Sequence, residues 1–383
     1  VPVARRVSVS STRGIGDQRP GLAVDHDLIA RSTGAMRAPR GAILALASAL
    51  LFGASTPLAK ALLEETDPWL LAGLLYLGAG LGLGLLHGVG RVARGVGPGE
   101  AALRGSEWAW LLAAVAAGGV LGPILLMSGL SRTPAAGASL LLTLEGVMTA
   151  LLAWFAFGEH VDRRIALGMA AITAGAVALS WQGGSSLGGL LGPLAIAGAC
   201  LAWAVDNNLS RAISLADPIR IATLKGCVAG AVNTLIALGL GASWPRPGVL
   251  AGAAIVGFAG YGVSLVLFVH ALRALGTART AAYFALAPFV GASVAVIALG
   301  ERVTAQLIVA AACMAAGAWL HLSERHGHAH RHGATAHEHR HIHDAHHQHV
   351  HAGHEPPGAP HSHRHDHALL VHRHPHFPDA HHR

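Results

Sequence analysis

Ten stretches of this chain, at 41–63, 69–90, 108–130, 134–157, 164–182, 188–210, 219–241, 248–272, 277–299 and 304–322, are apolar on every side and almost free of charge. Each is long enough to cross a hydrocarbon core about 30 Å thick. A soluble helical repeat would instead carry a charged face opposite its apolar stripe. With no water in lipid to satisfy backbone N–H and C=O groups, such segments have to be helices. Only 12% of the residues are charged, whereas soluble chains use roughly 25%. The expected fold class is an all-α membrane protein with ten transmembrane helices, and the lipid bilayer is its first partner. The 49 glycines suit helices that approach closely in lipid through small residues.

A repeat organises the ten spans. Gly158-Glu159-His160-Val161 recurs as Gly300-Glu301-Arg302-Val303, and the same offset aligns Ala174-Gly175-Ala176 with Ala316-Gly317-Ala318. At a slightly different offset, Leu58-Ala59-Lys60-Ala61-Leu62 matches Leu209-Ser210-Arg211-Ala212-Ile213. The halves are 41–182 and 188–322. Five helices per half is odd, so the halves are expected as two inverted five-helix repeats, a plan used by secondary transporters with a midplane site. Lys and Arg are retained on the cytoplasmic side of short loops. Arg37, Arg40, Arg91, Arg94, Arg104, Arg163, Arg164, Arg211, Arg220, Arg273 and Arg279 then mark one side, and Lys60, Arg132, Arg246 and Arg302 the other. This predicts an inner-membrane protein with both termini in the cytoplasm.

Residues 1–40 are basic and lack the apolar core of a secretory signal, so they read as a disordered extension. Met36, just before Arg37 and Arg40, is an alternative translation start to Val1. Residues 323–383 are a low-complexity tail, expected to be disordered and cytoplasmic; 23 of the 27 histidines lie from His321 onward.

Glu145 lies mid-way along an unbroken apolar run. A mid-bilayer carboxylate costs roughly 2.5 to 3.5 kcal/mol, so such groups face an interior cavity and mark a substrate or proton path. The competing reading is a structural ion pair with Arg or Lys on another helix. Asp206, Asn207 and Asn208 are consecutive, and neighbours on a helix are turned by about 100°. Either some of them meet water or substrate, or the sixth span ends near Val205 and the triplet caps it. In the matching stretch of the first span, Ser55, Thr56 and Pro57 predict a break, because Pro57 removes a backbone donor. Polar or broken segments at equivalent places in two halves point to a binding site. Lys60 and Arg211 stand at matching positions, as gating or substrate-binding cations or as snorkelling anchors. Trp203, Tyr261 and Tyr283 are candidate cavity-lining aromatics, and Pro123, Pro193 and Pro288 candidate kinks.

The tail alternates histidine with other residues: His326, His328, His330 and His332, then His337, His339, His341 and His343, then His361, His363, His365 and His367. Imidazoles so spaced can converge weakly on Zn, Ni, Co or Cu ions. No cofactor is required. The formal charge of +7 sits in tails and loops and reads as topology, so no nucleic-acid partner is expected. Cys200, Cys227 and Cys313 are scattered singly, without metal or disulfide spacing. No phosphate loop or nucleophile elbow supports an ATPase or hydrolase, so the chain is not expected to be an enzyme.

The stretches LFGASTPLAKAL, GLSRTPAAGASLLLTLEGVMTALLAWFAFGEHVDRRIALGMAAITAGAVALSW, ACLAWAVDNNLSRAIS and ALAPFVGASVAVIALGERVTAQLIVAAACMAAGAW resemble EamA-like members of the drug/metabolite transporter superfamily. The resemblance covers about residues 41 to 322. It implies a small-metabolite exporter or permease driven by an ion gradient. Phe52 stands where such proteins often carry Trp, with Trp203 its counterpart in the second half. Three readings stay open: a small-molecule transporter, a divalent-metal permease with a histidine-rich collector, and a membrane-anchored metal chaperone. A second copy of the chain is a candidate partner.

Overall fold

The computed structural model describes residues 26–94, 107–157, 163–181, 187–210 and 218–322, and in the tail 327–332, 335–341, 361–367 and 370–375. Among them are ten helical segments long and apolar enough to cross a membrane. Spans 1 to 5 are Arg40–Leu62, Pro68–Gly88, Trp108–Leu130, Ala135–Phe155 and Arg163–Ser180. Spans 6 to 10 are Gly189–Ser210, Pro218–Gly239, Pro247–Leu272, Arg279–Ala298 and Ala305–Leu322. Every boundary lies within two residues of the expected one, because apolar length fixes a span more sharply than helix propensity fixes a soluble helix. Large apolar side chains point outward, with Ile297 82% and Phe155 75% exposed, as a lipid-facing surface requires.

Span 1 packs on spans 8 and 9, and span 6 on spans 3 and 4; span 2 packs on span 7, and span 5 on span 10. Exchanging the two halves maps this set of contacts onto itself. The chain is therefore two repeated five-helix halves about a pseudo-two-fold, running in opposite senses because each half has an odd number of spans. Small residues let the shared pairs touch. A Cβ on Gly80 would meet the backbone of Gly226 and Cys227, and one on Gly168 the carbonyl of Gly317. Spans 1 and 8 are joined by Ser48 and Ser264, each hydroxyl donating to the other's carbonyl oxygen at 2.8 and 3.0 Å.

The irregularities obey the same symmetry. Spans 3 and 8 each contain a π-helical segment, Val115–Leu121 and Gly257–Val263, 142 positions apart. Both are glycine-rich. Spans 4 and 9 are each broken into two helices: Ala135–Leu141 and Leu144–Phe157 in one, Thr277–Phe284 and Ala287–Ala298 in the other. Pro123 falls in the first turn after the π segment of a continuous span 3, and Pro288 in the first turn of the second helix of span 9, which follows a turn, so that its missing N–H costs nothing. Pro193 lies inside the helix of span 6.

One expectation needs correction. Pro57 does not break span 1, whose helix runs without interruption from His26 to Leu62. The Gly53 carbonyl that Pro57 leaves without a helical partner packs against span 9, where a Cβ on Gly291 would lie 2.7 Å from its oxygen. The same helix begins at His26, within the basic extension. In the tail, four strands are formed: β1 (Gly327–His332), β2 (Thr335–His341), β3 (His361–His367) and β4 (Leu370–Pro375). They pair antiparallel as β1 with β4 and β2 with β3. Low hydrophobicity argues against a packed core, but strand pairing needs only alternation and backbone hydrogen bonds.

Candidate functional site

The helix of span 6 continues to Ser210, so Asp206, Asn207 and Asn208 are helical and project in three directions. Asp206 turns into the bundle, 8% exposed. The Lys225 ammonium on span 7 donates to both its carboxylate oxygens, at 2.5 and 2.6 Å, and the Ser210 hydroxyl donates to one of them at 2.9 Å. A buried ion pair is tolerated when further hydrogen bonds offset lost hydration, and Ser210 supplies one. Asn207 turns towards span 4 and its amide donates to Glu145 Oε1 at 2.9 Å. Asn208 donates to the Ala204 carbonyl at 2.8 Å, and its buried Oδ1 has no partner among the described residues.

Glu145 owes its position to the break in span 4. Residues Leu142 and Thr143 form a turn, and Glu145 falls in the first turn of the helix that follows. A carboxylate there faces the positive end of the helix dipole. Of the two carboxylates, Asp206 is the ion-paired one; Glu145 has an amide for its described partner.

The π segment of span 3 presents two carbonyls to side chains of other spans. Gly118 O accepts from Tyr76 Oη on span 2 at 3.0 Å and from Trp203 Nε1 on span 6 at 2.9 Å. Gly119 O accepts from the Asn233 amide on span 7 at 3.0 Å. A π-helical turn misaligns backbone carbonyls from their usual donors, and such segments recur at functional sites. Gly118 also admits Asp206, since a Cβ there would overlap its carboxylate.

An aromatic row leads away from this pole. Tyr76 and Tyr261 have ring centroids 5.8 Å apart, Tyr261 and Phe52 5.9 Å, Phe52 and Phe284 5.3 Å, and Phe284 and Phe268 4.9 Å. The row crosses from the second span of one half to the eighth and ninth of the other. Edge and tilted contacts at these distances satisfy the ring quadrupoles. Tyr261 itself lies in the π segment of span 8.

The sequence model of the EamA-like transporter family matches residues 39–181 and 190–323, one copy for each half. The chain belongs to the EamA-like transporter family. An uncharacterized transporter of Methanothermobacter thermautotrophicus is 31% identical over 281 residues, covering 70% of this chain and 81% of the relative. One solved crystal structure is similar with a TM-score of 0.55 at 20% identity, covering 74% of this chain and 95% of the other. That likeness shows the fold alone.

Within the EamA-like bundle, the expected residues divide into those gathered at one site and those that lie elsewhere. Glu145 meets Asn207, Asp206 and Trp203 meet at Gly118, and Tyr261 joins them through Tyr76, whereas Asn208 turns back to the Ala204 carbonyl of its own helix. Ser55 and Thr56 are buried on span 1, with the Ser55 hydroxyl donating to the Phe52 carbonyl at 2.6 Å. Tyr283 is half-buried on the first helix of span 9. Lys60 is at the opposite end, where its ammonium donates to the Leu130 and Ser131 carbonyls at 2.6 and 3.3 Å. It caps the C-terminus of span 3. Beside it, Glu301 accepts from the N–H groups of Ala135 and Ala136 at 2.6 and 2.8 Å and caps span 4. Gly300, at φ 69°, makes the left-handed turn that aims this carboxylate. Arg211, His326 and His343 lie outside the described residues; the other expected tail histidines fall on β1 to β3. Sequence reasoning missed Lys225, Tyr76 and Asn233. Lys225 could have been flagged by the rule that flags Glu145, but it lies only about two turns into span 7 and close to Arg220, where it reads as an interfacial anchor.

Proposed function

We propose that this EamA-like protein is a secondary transporter of a small organic metabolite, working by alternating access between its two halves and driven by a proton gradient through Glu145. It resides in the inner membrane with both termini in the cytoplasm, as the distribution of arginines supports. The carrying observation is the contrast between two neighbouring carboxylates. Asp206 is held by Lys225 and Ser210, whereas among the described residues Glu145 is held by one exposed amide, Asn207, at a helix break. A carboxylate held only by a neutral donor can take and release a proton without leaving a buried cation unpaired. The aromatic row and the polar groups around Gly118 suit a substrate with an apolar body and a polar or cationic end.

Proteoliposomes holding the purified protein test this. Glu145→Gln should abolish uptake driven by an imposed pH difference while leaving substrate exchange at zero gradient intact. Undiminished pH-driven flux removes the coupling role. Loss of both activities in a folded protein makes Glu145 a substrate counter-ion instead.

A further inference from the structure

The break in span 4 has a side chain from another span set into it. In an unbroken helix the Leu141 carbonyl would accept from the Glu145 N–H, four residues on. Here the Glu145 N–H donates to the Leu142 carbonyl at 3.1 Å, and the Thr143 N–H to the Leu140 carbonyl at 3.0 Å. The Leu141 carbonyl accepts instead from the fully buried thiol of Cys200 on span 6, with Sγ 3.7 Å from the oxygen. The Glu145 N–H also faces this sulfur. One atom of span 6 therefore stands between the two groups whose mutual bond span 4 lacks, and a side chain inserted into the helical ladder is a sufficient cause of a break.

The other half provides the contrast. At the offsets that relate the halves, Cys200 aligns with Ala49 and Glu145 with Ala287, so thiol and carboxylate occur together in one half and are both alanine in the other. Span 9 still breaks within a residue of the matching place. There Pro288 lacks the N–H that would bond to the Phe284 carbonyl, and no inserted side chain is needed. Within span 6, Cys200, Trp203 and Asn207 lie three and seven residues apart on one face of the helix. Span 6 thus holds Glu145 twice, at its backbone through Cys200 and at its carboxylate through Asn207. We propose that Cys200 is the positioning residue for Glu145. Its thiol keeps the Leu141 carbonyl and the Glu145 N–H apart, so that the carboxylate stands at the start of a helix beside Asn207 and not midway along one. This role rests on the proton-coupling reading of Glu145.

Dicyclohexylcarbodiimide, which attacks protonated carboxyls in apolar surroundings, tests the assignment without any transported substrate. The full-length protein in liposomes is labelled across a range of pH, and the adduct at Glu145 is followed by mass spectrometry, with Glu145→Gln as the background. Alanine and serine leave nearly the same space at position 200 and differ in a hydroxyl that can donate to Leu141. Cys200→Ala should change the labelling rate at Glu145 by at least about threefold and displace its pH profile, as the loss of one buried hydrogen bond allows. Cys200→Ser should stay within about twofold of the native rate. A Cys200→Ala protein that labels as the native one does, or two variants that behave alike, overturns the positioning role while leaving the coupling role of Glu145 in place. A native protein whose Glu145 takes no label at any pH overturns both.

Discussion

Asp206 and Ser55 occupy equivalent places in the two halves, 151 positions apart, and each packs against the glycine of a π segment. A Cβ on Gly118 would lie 2.5 Å from that of Asp206, and one on Gly260 2.5 Å from that of Ser55. The backbone geometry is therefore duplicated while the chemistry is not. On the Asp206 side stand a lysine, an asparagine pair and Glu145. On the Ser55 side the hydroxyl turns back to its own helix and the surroundings are Phe52, Tyr261 and Phe284. Two copies of one scaffold have thus been divided into a charged pole and an aromatic pole. In the transport cycle proposed above, a substrate bound between them would meet both, and rocking of the halves would change which compartment it meets.

The largest effect should come from unbalancing the charged pole. Lys225→Met leaves Asp206 as an unpaired carboxylate in a low-dielectric site, at a cost of about 3 to 5 kcal/mol. Thermal unfolding in detergent should show a large loss, mostly recovered when Asp206→Asn is added. If Lys225→Met alone unfolds at the wild-type temperature, water already reaches the pair and the pole is not buried. The second comparison sets Gly118→Ala against Gly260→Ala. Both overpack a π segment, which costs about 1 to 3 kcal/mol. Gly118→Ala should be the worse of the two and should also impair transport, because its methyl displaces a carboxylate fixed by Lys225 and Ser210. Equal losses would mean that the two halves respond as backbone alone.

The ten spans were legible because a hydrocarbon core imposes a length that sequence cannot disguise. The two-fold arrangement was legible from Gly158-Glu159 and Gly300-Glu301 and from the odd number of helices in each half. Where the helices break was legible only in part. Pro57 is the strongest local signal for a break, yet Gly53 meets Gly291 so closely that span 9 closes over the freed carbonyl and the helix stays regular. The break at Leu142–Thr143 carries no proline or glycine, whereas the one at Ala285–Leu286 is followed at once by Pro288, a kink candidate in the sequence. The former is set by how span 4 packs on the first helix of the second half, a tertiary cause that propensity does not record. Glu145 could be recognised as anomalous from burial in an apolar run. Its partner could not, since Asn207 reads equally well as an interfacial residue until span 6 is seen to continue through Asp206.

A final pair of charges gives the smallest expected effect and sharpens the meaning of the largest. Arg246, just before span 8, donates to Glu65, which follows span 1, through both its Nε and a terminal nitrogen. The chemistry matches the Lys225–Asp206 pair, but Arg246 is exposed to solvent. The Glu65 carboxylate raises the guanidinium pKa further above its already high ordinary value. A raised folded-state pKa adds stability below the unfolded value and loses it only as pH climbs through the folded one. For arginine that window lies above about pH 12. No dependence on the arginine proton should therefore appear between pH 5 and 9, and Arg246→Ala should leave the melting temperature unchanged at 0.15 M salt, where exposed pairs are screened. A marked loss would show that the contact between the loop after span 1 and the loop before span 8 is held by charge, and would make electrostatics at the rim as consequential as the buried pair at Asp206.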